Sequence, residues 1–357
     1  MPSEGRRPTI VDVARLAGVS AGTVSKVLNE RGSLRESTRR RVLETAETLG
    51  FRPNSLARGL LSGRSYTVGL LTTDHVGRFS LPVLLGAEDT LGVGEISVFL
   101  CDSRGDAIRE RQHLRTLLAR RIDGLIVTGR RTDPRPPLPV DVPVPVVYAM
   151  APSTNPADMS VLPDEAGGAE LAVRHLLATG RTRIAHVTGP QRHNSARVRA
   201  ERAEAVLAEA GRPMAAGGPR FGEWSERWGR QAAQAVLREQ PDCDAIFCGS
   251  DQIARGVVEI LRELGRVVPT DVAVVGFDNW EVMATAARPP LTTVDMELAA
   301  LGQAAAERLR AAIDGSPMPG AQQLPCTLVL RDSTDPTLAP VRAPRPPKPP
   351  AKAGRRR

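Results

Sequence analysis

Aromatic side chains are scarce: Phe, Trp and Tyr make up 3% of the 357 residues. Each Trp or Phe in a pocket-like position therefore carries unusual weight. Cysteine is scarcer still. Cys101, Cys243, Cys248 and Cys326 are scattered, and the nearest pair encloses four residues rather than the two of a CxxC motif. That excludes the usual zinc and redox spacings and fits reduced, packed thiols of a cytoplasmic protein. No run approaches the ~20 apolar residues of a membrane span, and MPSEGRRPTI has no apolar stretch behind its charges, so no membrane partner is expected. The five histidines form no recognisable pairing, and there is no P-loop, HExxH or GxSxG elbow. Nothing then favours an enzyme, a metal or a cofactor beyond an α/β architecture, and fold alone does not give function.

What is present is a globular composition, 41% apolar, long enough for two or three domains. The charge is unevenly placed. Residues 1–64 carry a net +6, residues 336–357 a net +7, and the body between them −5. A mildly acidic body between two basic ends points to a polyanion partner for the ends.

Three short helical patterns fill the first 50 residues. Thr9 followed by Asp12 makes a capping-box start, and Ile10, Val13, Ala14 and Ala17 repeat at helical spacing. Gly18 ends that segment, Ser20 offers a second N-cap, and Val24, Val27 and Leu28 form the next stripe. A third helix is expected from Glu36 to Leu49, with Val42, Leu43, Ala46 and Leu49 on one face. From Thr67 the pattern changes to β-rich runs (TVGLLTT, ISVFLC, GLIVTG, VPVVYAM, RIAHVTG, AIFCGS, VAVVGFD) alternating with helical stretches at 107–120, 165–179, 195–210, 226–239 and 251–264. Such alternation implies parallel sheets. The tail APVRAPRPPKPPAKAGRRR has no apolar period and reads as disordered.

Two short helices joined by a tight Gly turn can lay the second in the major groove. The stretches TIVDVARLAGVSAGTVSKVLN, TRRRVLETAETLGFRPN and SLARGLLSGRSYTVGLL closely resemble the LacI/GalR (lac repressor/purine repressor) family, almost continuously from Thr9 to Leu71. The resemblance implies base reading by Ala21, Gly22 and Lys26, of which only Lys26 has a donor for guanine. It places Ser20, Thr23, Ser25, Asn29, Thr38 and Asn54 at phosphates, where contacts set register. Residues 54–61 match a hinge helix too short to be stable alone, which in the family orders on DNA beside its dimer mate. Ala57 matches the position facing the partner hinge, and Leu60 the leucine wedged into the minor groove. Gly59 weakens such a helix, and Leu61 leaves open which leucine wedges.

The resemblance continues to about Thr334 through RRIDGLIV, RTRIAHVTGP, GEWS, DAIFCGSDQIARG, VPTDVAVVGFDN, PPLTTV and LPCTLVLRDST. It implies a two-lobed sensor that binds a small molecule between its lobes. The expected fold is an all-α helix-turn-helix headpiece (1–53), a hinge and linker (54–65), an α/β sensor (66–335) and the tail (336–357). The sensor's two Rossmann-like, periplasmic-binding-protein-like lobes would have parallel sheets. The N-lobe would hold 66–163 and 294–322, the C-lobe 164–293 and 323–335. Matching positions nominate Arg199, Trp224 and Asp278 for the effector, together with Phe79 and Ser250. Asp278 with Asn279 also fits a strand-end turn, and Trp224 a packed lid. Ser80, Ser250 and Arg202 depart from the family's usual aromatic, Asn and Gly. The family's commonest ligand is a sugar. The implied protein is a homodimeric regulator, a repressor, of a near-palindromic double-stranded operator. A sugar transport protein would lack the headpiece, and an architectural DNA-binding protein the sensor.

Overall fold

The computed structural model describes residues 8–28, 34–51, 64–92, 96–139 and 141–335. Asn29, the segment holding Asn54, Ala57 and Leu60, and the tail 336–357 lie outside the described residues.

The headpiece is three helices: α1 (Ile10–Ala17), α2 (Ala21–Leu28) and α3 (Glu36–Thr48). Thr9 and Asp12 form the capping box, with the Thr9 N–H and Oγ1–H 2.9 and 2.7 Å from Asp12 Oδ2. Gly18, at φ +64°, ends α1 in the left-handed region. Ser20 then caps α2 by accepting the Thr23 N–H at 3.1 Å. Val13, Ala14, Ala17, Val24, Val27, Val42 and Ala46 form one buried core. Leu43 departs from its expected place and is 46% exposed. It stands a roughly 100° helical step from Val42, too far round α3 to share its buried face.

The sensor has two six-stranded sheets. The first contains β1 (Thr67–Thr72), β2 (Ser97–Asp102), β3 (Gly124–Val127), β4 (Val146–Ala149), β5 (Met159–Pro163) and β11 (Ala321–Leu324), in the order β11-β5-β4-β3-β1-β2. All its pairings are parallel. The second contains β6 (Ile184–Thr188), β7 (Arg220–Phe221), β8 (Ala245–Cys248), β9 (Ala273–Phe277), β10 (Thr292–Asp295) and β12 (Thr327–Val329), in the order β12-β10-β9-β8-β6-β7. Here β12 is antiparallel to β10, an exception to the expected parallel sheet.

Helices α4 (Ser80–Gly92), α5 (Ala107–Ala119) and α11 (Leu298–Ile313) accompany the first sheet. Helices α6 (Glu165–Ala178), α7 (Asn194–Glu209), α8 (Glu226–Glu239), α9 (Asp251–Glu263) and the short α10 (Glu281–Ala284) accompany the second. Each lobe uses the same close-packing device. A Cβ on Gly86 of α4 would fall 1.9 Å from the Ala299 carbonyl of α11, and one on Gly256 of α9 2.0 Å from the Glu226 carbonyl of α8. Only glycine lets these backbones touch.

The chain passes between lobes at Asp164, at Met296–Glu297 and after Leu324. The middle passage is later than the boundary expected at 294, because Thr292, Thr293 and Val294 still pair with β9. The first lobe likewise keeps its last strand to Leu324, not 322. One buried cluster joins Leu70 and Ile126 of the first sheet to Phe247 and Phe277 of the second, with Met296 and Cys326 at the passages. Burial pushes the Cys243 thiol up to about 11 and that of Cys326 to about 12, so both stay protonated. Among the described residues no helix is long and apolar enough to cross a membrane.

Candidate functional site

On α2, Val24 and Val27 point into the headpiece core while Ala21, Gly22 and Lys26 are exposed. At ~100° per residue, Ala21, Gly22, Ser25 and Lys26 occupy one arc opposite the two valines. Ser20 is exposed at the helix start, and its Oγ lies 2.9 Å from Thr23 Oγ1. Thr23, Ser25 and Thr38 are half-buried. The described candidates for DNA contact therefore include an open helix face whose last turn carries one long cationic side chain, Lys26, a geometry that a major groove accepts.

Between the two sensor lobes lies a cavity of about 460 Å³. Its walls are the segments that follow β1, β3, β6, β8 and β9, so it occupies the carboxyl ends of the strands, where α/β sheets bind ligands. Phe79, Arg199, Trp224, Ser250 and Asp278 all line it. Elements up to 200 residues apart thus bring the five effector candidates together.

Their chemistry is partly committed within the protein. Arg199 is buried; its guanidinium donates to Glu165 Oε1 at 2.7 Å and to the Gly249 carbonyl at 2.5 Å, and it lies 3.5 Å over the Phe277 ring. Ser250 spends its Oγ as the N-cap of α9, accepting the Ile253 N–H at 3.2 Å. Trp224 donates from Nε1 to His193 Nδ1 at 2.8 Å, and the two rings lie side by side, within 13° of parallel. It packs so closely over Gly189 that a Cβ there would lie 2.1 Å from the indole, making Trp224 both a packed residue and a cleft wall. Asp278 and Asn279 hold φ of +103° and +46°. The strand-end turn and the cleft carboxylate are therefore one feature, with backbone strain stored at the cleft.

Asp278 meets a residue absent from the sequence-based candidates. Arg78, from the loop after β1, crosses the cleft to form an ion pair with it. Its guanidinium lies 4.7 Å from the Phe79 ring centroid and 4.4 Å from that of Trp280, a cation between two aromatic faces. Arg199 Nη1 is 3.7 Å from the other Asp278 oxygen. Burial raises the Asp278 pKa, while Arg78 and then Arg199 oppose the rise. Behind it, Asp251 is pushed up to about 8 by burial and then by Asp278, against the lowering effect of hydrogen bonds from Thr293 and the Trp280 N–H. Arg202, the departure noted in sequence, does not line the cleft; it pairs with Glu170 and Glu209.

Residues 9–54 match the profile described as bacterial regulatory proteins, lacI family, and residues 173–334 that of a periplasmic binding protein-like domain. Catabolite control protein A of Priestia megaterium is 34% identical over 334 residues, covering 91% of this chain and 99% of the relative. The chain belongs to the LacI family of bacterial regulatory proteins. As a LacI-family member it is a DNA-binding transcription regulator. The regulator is similar to the lac repressor dimer bound to operator and the anti-inducer ONPF, with TM-score 0.70, 28% identity, and 92% and 99% of the two chains covered. It also resembles the complex of the transcriptional regulator CelR with cellobiose, with TM-score 0.65, 30% identity, and 92% and 100% covered.

Sequence reasoning missed Arg78, Trp280, Glu165 and His193 in the regulator's cleft. Trp280 had a signal, since it is one of only three tryptophans and directly follows Asp278–Asn279. Arg78, beside Phe79, had none, because nothing local shows that it faces an aspartate from the other lobe.

Proposed function

We propose that the regulator is a cytoplasmic homodimer that represses transcription from a near-palindromic operator and is controlled by a sugar or sugar derivative held in the interlobe cleft. Lys26 supplies the main direct base contact, with Ala21 and Gly22 allowing close approach. Ser20, Thr23, Ser25, Asn29, Thr38 and Asn54 set the register on phosphates, and Ala57 and Leu60 act in the hinge. Phe79, Arg199, Trp224, Ser250 and Asp278 line the effector site. The reading assigns the cleft a sensing role and no catalysis.

The observation that carries this reading is a cleft with convergent polar groups and aromatic faces, in the same chain as an exposed recognition helix. Aromatic faces suit the apolar face of a sugar ring, and Arg and Asp side chains suit its hydroxyls. Contacts across the cleft make its occupancy matter to lobe position. Arg78 pairs with Asp278, Asp133 Oδ1 accepts the Asn194 N–H at 2.7 Å, and Thr132 donates to Glu165 at 3.1 Å. Helix α11 offers a route outward. It starts just after Met296, a cleft residue, and ends where Arg64 donates to the Ile313 carbonyl at 3.1 Å and to Asp314 at 2.8 Å. The neighbouring Ser65 and Tyr66 N–H groups are held by Asp123 at 2.8 and 2.7 Å. The segment arriving from the headpiece is thereby fastened to the helix that leaves the cleft.

Leu81 and Leu85, one turn apart on α4, are 46% and 58% exposed and supply an apolar stripe for the second subunit. A ligand that couples to DNA shifts its affinity by about 1–3 kcal/mol, and DNA shifts ligand affinity equally. Fluorescence anisotropy of the full chain on palindromic and random duplexes, with and without sugars, tests the reading and gives the sign of control. A monomer that shows no preference for any palindrome at low salt would refute it.

A further inference from the structure

A second basic cavity lies beside the cleft and shares part of its wall. Arg130 and Arg131, just beyond β3, line the interlobe cleft and also an adjoining cavity of about 450 Å³. Of the other arginines on that second cavity, Arg135 pairs with Glu110 at 2.9 Å and Arg104 sits 3.9 Å from Asp102. Arg130, Arg131 and, on the opposite lobe, Arg192 are exposed. None hydrogen-bonds or pairs with any described residue. Within the cleft floor Arg78 and Arg199 meet Asp278 and Glu165, and Asp74 adds a further buried carboxylate, so no positive charge is left over there. The surplus is at the rim, where Glu223 is the exposed acid among the lining residues.

Unmet hydrogen-bond donors point the same way. His193 is 5% exposed and lines the cleft. It accepts the Trp224 N–H at Nδ1, so its neutral ring carries the proton on Nε2, a buried atom with no partner among the described residues. Burial and then Arg131 hold the His193 pKa down, consistent with that neutral form. Thr128, 3% exposed on the second cavity, also has an unmatched hydroxyl. Two acceptors are unmet nearby, Asp74 Oδ1 and Asp133 Oδ2. Each belongs to a carboxylate whose other oxygen already holds a backbone N–H. The rim nonetheless sets three exposed guanidiniums, Arg130, Arg131 and Arg192, against one exposed carboxylate, Glu223, an arrangement that complements an oxyanion.

We infer that the effector is an acidic polyhydroxylated molecule whose carboxylate or phosphate is held by Arg130, Arg131 and Arg192 where the two cavities join. The inference rests on reading the cleft as the effector site and names the class of ligand it takes. Calorimetric titration of the full chain with D-glucose, D-gluconate and D-glucose 6-phosphate, then D-ribose and D-ribose 5-phosphate, tests it. At least one acid should bind about tenfold or more tighter than its neutral parent, and the carboxylate and phosphate arms tell the two sources apart. Arg130→Ala/Arg131→Ala should abolish that preference, while Arg130→Lys/Arg131→Lys keeps most of it. Both side chains are exposed, so the variants should fold, as their melting curves would show. Neutral parents binding as well as the acids, no acid binding at all, or a preference that survives the double alanine change would each overturn the inference. A neutral sugar whose binding depends on Trp224 and alters operator affinity would leave the cleft reading standing while removing the anion.

Discussion

Removing Arg78 leaves Asp278 as a carboxylate without its main cation. The two side chains are 13% and 6% exposed, so water replaces little of the lost partner. Stranding one member of a buried ion pair costs about 3–5 kcal/mol. Arg199, 3.7 Å from the other carboxylate oxygen, takes over part of the role, which places Arg78→Ala near ~3 kcal/mol, the lower end of that range. For a domain of this size each kcal/mol moves Tm by about 2–4 °C, so the variant should melt roughly 6–12 °C lower. Asp278→Asn alone should also destabilise, by leaving Arg78 between its two rings without a counter-ion. The double variant removes both charges, so its loss should fall short of the summed single losses by at least ~1.5 kcal/mol. Proton linkage adds a second readout. The folded pKa of Asp278 is already raised and loses its larger opposing influence when Arg78 goes. A carboxyl raised in the folded state is stabilising at low pH and loses that contribution as pH rises through its folded value. Arg78→Ala should therefore be more harmful at pH 8 than at pH 5. Denaturant melts of the four proteins at both pH values decide the matter. Additivity within ~0.5 kcal/mol would refute the claim that this pair joins the lobes.

Lys26→Ala should lower the preference for operator over random duplex by about 1–3 kcal/mol; an unchanged affinity ratio would remove Lys26 as the base reader. Asp251, held up near 8 in the folded state, makes the protein lose stability as pH rises from ~4 towards 8. Asp251→Asn should flatten that slope, and Tm values at pH 5 and 8.5 that fall as steeply as in the parent would show that the carboxyl is not the cause. Gly256→Ala must push α9 off the Glu226 carbonyl, 2.0 Å from the new Cβ, and should cost at least ~1–3 kcal/mol. Gly22→Ala, whose Cβ meets only Ser20 Oγ at 3.7 Å, should instead stabilise α2 by up to ~1 kcal/mol. The reverse order of the two Tm shifts would contradict the packing argument.

Much of this protein is local in origin, and those parts were legible in the sequence. The Thr9–Asp12 box, Gly18 at the end of α1 and the Ser20 cap act within a turn or two of chain, so residue type and spacing determine them. The β-rich runs from Thr67 to Phe277 likewise announced β1, β2, β3, β4, β6, β8 and β9, though not the interior strands β5 and β10. The edge strands β7, β11 and β12 did not announce themselves. They are two to four residues long, and β11 reads AQQL, polar and largely exposed, a strand only because β5 lies beside it. Helices α4 and α11 bury glycine and alanine against each other and lack a plain apolar stripe, so their pairing is a property of the pair. The cleft is the extreme case. Arg78 and Asp278 are 200 residues apart, and Trp280 and Phe79 face one guanidinium from different lobes. Sequence alone set the kinds of residue available and the elements that carry them. Which charges meet was decided only when three chain passages brought the strand ends of two sheets to one cleft, because Coulomb and stacking forces act over a few ångströms of space and are blind to distance along the chain.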